Sequence, residues 1–317
     1  MPSVRQQICK EDDRLDRITI HMTDGHMVSA FLAEPDGPPK GHIHLLHGMA
    51  EHIGRYEEFA EELKKAGYIV SGHDHRGHGS TVRLNGTRGY FADEDGFERV
   101  VQDVHEVTTL LRDSHPSPSF TIFGHSMGSF VARRYSQRYG HLLDRAIFMG
   151  SGDHPGSAIR AGRMIASRYV AAGMKKEPNQ LLNSLTFGRY NLQFPDAVTP
   201  FDWLNEDQDA VKKYLDDEDS GFVSTTGFFA DLFDGLDLIH DDREIRRTPA
   251  DLPILMISGA LDPVGKNGAG IWNVARQYAE NNVRNVTVYL VEEGRHEILH
   301  SPKKGRIAEF ITEWLES

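Results

Sequence analysis

Ser126 stands in Gly124-His125-Ser126-Met127-Gly128, between the apolar run Phe120-Thr121-Ile122-Phe123 and a stretch with helical spacing that carries Phe130, Val131 and Tyr135. Gly-x-Ser-x-Gly alone is a weak signal. It gains meaning where a strand precedes it and a helix follows. That sharp turn lifts a serine hydroxyl to the top of a sheet and places the next amide, from Met127, at a helix N-terminus that favours negative charge. Gly124 and Gly128 lack a Cβ, so neighbouring backbone can pass close by. The plainer alternative is a glycine turn whose serine caps the helix.

A serine hydroxyl attacks poorly unless a base takes its proton, and the base must be held by a third group. Two later loops supply both. Ile257-Ser258-Gly259-Ala260-Leu261-Asp262-Pro263 places Asp262 beyond an apolar strand, and Glu293-Gly294-Arg295-His296-Glu297 places His296 beyond the last one. Serine, acid and histidine then follow in the order expected after a nucleophile elbow. Asp153 is the rival acid and His300 the rival base. The Asp262 loop adjoins the expected histidine loop, whereas His300 falls at the start of the closing helix, so Asp262 and His296 are preferred. With 17 histidines in the chain, position rather than residue type carries this argument. The negative charge that develops on a carbonyl oxygen needs two fixed N–H donors, each worth about 3–4 kcal/mol in a dry site. Met127 offers one backbone amide. The loop His47-Gly48-Met49 offers the other, from Met49.

His42, His44, His47, His73, Asp74, His75 and His78 could suggest a metal centre instead. Yet His42 and His44 share one strand face while His47 points to the other. Among these residues neither H-x-H-x-D-H nor H-E-x-x-H occurs. These side chains are read as braces for loops, with Asp74 and Arg76 pinning the glycine-rich turn. No metal and no cofactor are expected.

The elements that must position these residues alternate strand and helix. A hairpin, Arg17–Thr23 and Met27–Ala33 about Asp24-Gly25, precedes strands near 42–46, 68–70, 120–123, 145–149, 254–258 and 286–291. Amphipathic helices near 55–66, 97–112, 270–280 and 303–315 fall between and after them. The expectation is an α/β fold with an eight-stranded, mostly parallel sheet covered by helices on both faces. From about 152 to 248 no buried strand is visible, and helical patterns lie near 158–172, 207–216 and 222–239. The chain is therefore divided into a core of 1–151 and 249–317, with a helical cap, 152–248, inserted after the sixth strand.

At 317 residues, 39% hydrophobic and 26% charged, the composition is that of a soluble globular protein. A formal net charge of −12 speaks against a nucleic-acid surface or a polybasic membrane anchor. The polar start, Met1 to Asp16, has no apolar signal core, and no run approaches the length of a membrane-spanning helix. Cys9 has no partner motif and reads as a passive thiol. A cytoplasmic location is expected, with the oligomeric state left open.

Taken together, His47-Gly48-Met49-Ala50-Glu51-His52 with Arg55-Tyr56, Asp74-His75-Arg76-Gly77-His78-Gly79-Ser80 and Gly124-His125-Ser126-Met127-Gly128 resemble the monoacylglycerol lipase and lysophospholipase branch of the α/β-hydrolases, which also takes in enzymes classed as serine aminopeptidases. Gly294-Arg295-His296-Glu297 and Pro200-Phe201-Asp202-Trp203-Leu204 resemble its bacterial lysophospholipase-type members. The resemblance spans 20 to 315. It implies the triad Ser126, Asp262 and His296, the Met49 and Met127 amides as oxyanion hole, and a helical cap over an acyl tunnel. Phe222, Phe228, Phe229, Leu232 and Phe233 could line that tunnel, although their helical spacing is as expected of ordinary cap core. The function expected is cleavage of a small, amphiphilic, single-chain ester, with transient contact between the cap and a lipid surface. Two alternatives stand beside it. One is an aminopeptidase or amidase that uses acidic residues such as Asp216, Asp217, Glu218 and Asp219 to hold a substrate ammonium. The other is a non-catalytic binding protein on the same fold.

Overall fold

The computed structural model describes residues 6–8 and 17–317; Cys9 lies outside them. One sheet runs through the molecule in the order β1-β2-β3-β5-β4-β6-β7-β8-β9. Its strands are β1 (Gln6–Ile8), β2 (Arg17–His21), β3 (Met27–Ala33), β4 (Gly41–Leu46), β5 (Tyr68–His73), β6 (Phe120–His125), β7 (Arg145–Met149), β8 (Ile254–Gly259) and β9 (Val286–Val291). All eight expected strands are present. The short β1, with no period-2 signal in three residues, adds a ninth at the hairpin edge by pairing antiparallel to β2. From β5 to β9 every pairing is parallel.

The central strands are buried along their whole length because helices cover both faces. Edge strand β9 instead alternates half-buried and exposed residues. One apolar core packs Val100, Val104, Phe120, Ile122, Val131 and Phe148 on one face. The other packs Leu45, Phe59, Val70, Phe123, Ile257 and Ile311. Parallel strands send their carboxyl ends to one edge. Met49, Ser126, Asp262 and His296 all leave strands there, on four different loops.

Between β7 and β8 the chain forms the helices Ser157–Ala171, Gln180–Phe187, Gln208–Asp216, Thr226–Ile239 and Asp242–Ile245. Helix Thr226–Ile239 starts four residues later than its apolar pattern suggests. Thr225 is extended and its hydroxyl accepts from Phe228 N–H, which fixes the start there and leaves Phe222 in the preceding loop. Helix Gln180–Phe187 has no clean apolar stripe. Asn179 caps it by accepting from Leu182 N–H.

Asp231 ties this helical segment to the core. Its Oδ1 accepts from Gly96 N–H at 3.3 Å, and its Oδ2 is buried without a partner. Burial, aided by Asp234 and Asp95, pushes its pKa up to about 7, against the pull of Lys175 and the Gly96 amide. Between its ordinary value and about 7 the folded protein therefore binds more protons than the unfolded chain. Stability from this group is complete at acid pH and is lost as pH rises through that window. Asp231→Asn removes the dependence. Its Tm should gain on the parent progressively from about pH 4 to about pH 7; a difference that stays constant with pH would contradict the assignment.

Candidate active site

Ser126 occupies the turn between β6 and helix Met127–Tyr139 with φ 53° and ψ −121°, a backbone conformation that costs a non-glycine residue about 1–3 kcal/mol. Its N–H is tied to the Met149 carbonyl at 2.9 Å. The flanking glycines have a steric reason. A Cβ on Gly124 would lie 2.8 Å from the Ser129 Cα, and one on Gly128 would press into the Leu46 carbonyl and come within 2.6 Å of the His47 carbonyl. The elbow helix thus packs directly against the backbone that leads into the Met49 loop.

His296 Nδ1 is 3.0 Å from Asp262 Oδ2, and the two side chains are 2% and 0% exposed. Asp262 is held from two further sides. Ser258 Oγ donates to its Oδ2 at 3.0 Å, and Val264 N–H donates to its Oδ1 at 2.9 Å. These bonds fix the carboxylate and place the histidine proton on Nδ1, leaving Nε2 without one. The Trp203 ring packs 5.1 Å from the imidazole, centroid to centroid. Asp153 makes no such contact; it pairs with Lys266 and accepts from Asn273. His300 is half-buried beside Tyr56, its ring centroid 6.0 Å from the phenol.

The Met49 loop is pinned from both sides. Gly48 N–H donates to Glu51 Oε1 at 2.5 Å, and His47 Nδ1 donates to the Gly48 carbonyl at 2.8 Å. In a trans peptide the carbonyl and the next N–H point in opposite directions, so holding Gly48 C=O toward His47 turns the Met49 N–H away from it. The other nitrogen of His47 accepts from His75 N–H at 2.9 Å, which fixes the neutral tautomer. The Met127 amide opens a helix and has no intrahelical acceptor.

The remaining histidines form a buried chain under this loop. His42 Nε2 and His44 Nδ1 both meet Ser71 Oγ at 2.7 Å, and His44 Nε2 meets His73 Nδ1 at 2.9 Å. Burial pushes the pKa of His42 and of His73 down to about 3, so both are neutral. Among the described residues no three His, Cys, Asp or Glu side chains converge in a metal-binding arrangement. Asp74 accepts from Ile53 N–H and Ser80 N–H, while Arg76 pairs with Asp24 and Asp103.

Two unlike cavities meet at Ser126. One, of about 410 Å³, is lined by Met127, Ile159, Leu182, Leu232, Phe233 and Leu236 among others. The second, of about 230 Å³, reaches His296 and is the more polar of the two, with Glu51, Gln180, Asn183, Ser184 and Tyr214 set among Phe201, Trp203, Leu204 and Phe222. Met49, Ser126 and Phe187 border both. Helix Gln180–Phe187 is the partition. Leu182, Leu185 and Thr186 face the apolar side, and Gln180, Asn183 and Ser184 face the polar side. Of the five cap residues expected along a tunnel, Leu232 and Phe233 line the apolar cavity and Phe222 lines the polar one. Phe228 and Phe229 line neither. They are 0% exposed and pack with Val104 and Val131 in the sheet core, because their helix face turns toward the elbow helix. Three of the four acidic residues considered for holding an ammonium are engaged elsewhere: Asp216 with Lys212, Asp217 with His52, Asp219 with Arg83 and Arg88.

Sequence reasoning gave no role to Arg55, Tyr56, His125 or Glu297, which form a buried polar network beneath the site with Glu51. All of these residues lie within the motifs that carried the resemblance, which was the available signal.

The family model described as serine aminopeptidase, S33, matches residues 37–303. The monoacylglycerol lipase of Mycolicibacterium smegmatis is 26% identical over 286 residues, covering 89% of this chain and 90% of that protein. The monoglyceride lipase of Rattus norvegicus is 34% identical over 109 residues, 34% of each chain. Among solved structures, a thermostable carboxyl esterase from Bacillus coagulans in complex with glycerol aligns with a TM-score of 0.87 at 23% identity, covering 100% of this chain and 99% of that one. At that identity the likeness speaks for the α/β-hydrolase fold alone.

Proposed function

The chain belongs to the serine aminopeptidase S33 family and is a carboxylic ester hydrolase; from that premise we propose that it cleaves single-chain acyl esters of the monoacylglycerol or lysophospholipid type through Ser126, His296 and Asp262. Ser126 Oγ attacks the ester carbonyl while His296 Nε2 takes the hydroxyl proton. Asp262 keeps Nδ1–H oriented and stabilises the imidazolium. The Met49 and Met127 amides hold the oxyanion. The tetrahedral intermediate collapses, the alcohol leaves with the proton from His296, and water attacks the acyl-enzyme by the same steps to release the acid.

The observation that carries the substrate class is the meeting of a strongly apolar cavity and a mixed, more polar one at one serine. The acyl chain takes the apolar side. The alcohol takes the polar side, where Gln180, Asn183 and Ser184 can bond hydroxyls. The segment 152–248 acts as the cap over both. Leu181, Leu185, Leu192 and Val198 are exposed on it and form its contact with a lipid surface.

A p-nitrophenyl ester series from acetate to palmitate tests the reading. The expected kcat/KM rises through the medium chain lengths, and Ala158→Trp, at the wall of the apolar cavity, lowers it about tenfold for the longer esters while sparing acetate. A profile flat with chain length in both proteins would count against an acyl site there. Flotation with neutral phospholipid vesicles, lost in a Leu181→Ser/Leu185→Ser variant, checks the surface contact.

A further inference from the structure

Beneath the site, three loops are joined by side chains that are all at least nine-tenths buried. Arg55 Nη1 donates to Glu51 Oε2 at 2.6 Å, and its two terminal nitrogens donate to the two oxygens of Glu297 at 2.6 and 2.8 Å. Glu51 holds the Gly48 amide. Glu297 directly follows His296, and its backbone is tied to Leu204 and Asn205. His125 directly precedes Ser126. Its Nε2 is 3.2 Å from the His296 carbonyl, and its Nδ1 is 2.7 Å from Tyr56 Oη and 3.3 Å from Glu51 Oε1.

Proton bookkeeping narrows the state of this imidazole. A carbonyl only accepts, so Nε2 carries a hydrogen. An ionised carboxylate also only accepts. A bare Nδ1 would therefore face a lone pair of Glu51, and Tyr56 would have one proton for two acceptors. With a hydrogen on Nδ1 the conflict disappears: Tyr56 donates to Glu51 Oε1 at 2.9 Å and accepts from His125. Charge gives the same answer. Two carboxylates and one guanidinium leave a buried excess of one negative charge, which is costly unless it is paired.

We propose that His125 is held as an imidazolium, the fourth charge of a neutral buried quartet with Glu51, Arg55 and Glu297 that fixes the oxyanion loop, the nucleophile elbow and the base loop relative to one another. His125 is thus a positioning residue, a role that rests on the triad reading above. The groups facing it are Glu51 after β4, Arg55 and Tyr56 from the turn Ile53–Tyr56, His296 and Glu297 after β9, and His300 from the turn Ile298–His300. Burial alone would depress its pKa; the hydrogen bond and charge of Glu51, with Glu297 and the His296 carbonyl, raise it above the ordinary value. Burial and the Arg55 cation keep His300 low and neutral.

The test is nitrogen NMR of the full chain labelled at histidine, with the His125 signals assigned by their loss in His125→Asn. At neutral pH both ring nitrogens of His125 should carry the protonated signature, and in Glu51→Gln one of them should lose it. A proton-free nitrogen on His125 in the parent would overturn the proposal. Stability gives a second readout. His125→Asn leaves one carboxylate unbalanced, and adding Glu51→Gln restores neutrality while keeping an acceptor for Gly48. The double variant should melt above the His125→Asn single variant; losses that simply add would overturn the quartet. Both measurements can be made in a Ser126→Ala background, so they stand or fall separately from the catalytic assignment.

Discussion

Asp262→Asn lowers kcat by about 10⁴-fold with a KM close to that of the parent. The substituted amide keeps the shape of the carboxylate, and its oxygen, at the position of Oδ1, can still accept from Val264 N–H. At the position of Oδ2, however, an amide nitrogen would face His296 Nδ1, now 3.0 Å from a carboxylate oxygen. Two donors cannot share that bond, so the imidazole turns its proton-bearing nitrogen toward Ser126 and loses its function as a base. An unchanged Tm together with the lost kcat would mark the effect as catalytic. A loss below tenfold would mean that Asp262 is a structural turn residue and that another carboxylate orients the base.

Gly128→Ala should damage the site just as severely by a different route. The added methyl would press on the Leu46 carbonyl and lie 2.6 Å from that of His47, both backbone atoms of the strand and loop that lead to Met49. Backbone cannot rotate away as a side chain can. Either the elbow helix or the Met49 loop must move, and a displaced oxyanion donor costs about 10²–10³-fold in kcat. Overpacking at such a contact adds about 1–3 kcal/mol of destabilisation. Activity in Gly128→Ala within a few fold of the parent, with an unchanged Tm, would show that the close helix–strand contact does not govern the site.

The elbow was legible because its determinants are local: a strand pattern, two glycines at fixed spacing about a serine, and a helix pattern. The pairing of Asp262 with His296 was legible through chain order and through their places after apolar strands. What escaped was mostly non-local. Phe228 and Phe229 have the spacing of tunnel residues and of core residues alike, and only the packing of their helix on the elbow helix decides between the two. Phe222 belongs to the polar cavity because Thr225, not the apolar pattern, sets the helix start. Helix Gln180–Phe187 gave no periodic signal because both of its faces are lining faces, one apolar and one polar, and Leu181 and Leu185 are exposed. The buried quartet joins residues from three parts of the chain, with Arg55 and Glu297 242 positions apart, so no window of sequence contains it.

The central claim is that Ser126 is the nucleophile and that it forms an acyl-enzyme. Reaction with a fluorophosphonate probe, followed by mass spectrometry of the intact chain and its peptides, tests it most directly. The prediction is a single stoichiometric adduct on the peptide that contains Ser126, formed in step with loss of esterase activity and absent from Ser126→Ala. Equal labelling of the parent and Ser126→Ala, or full activity in the parent after labelling, would contradict it.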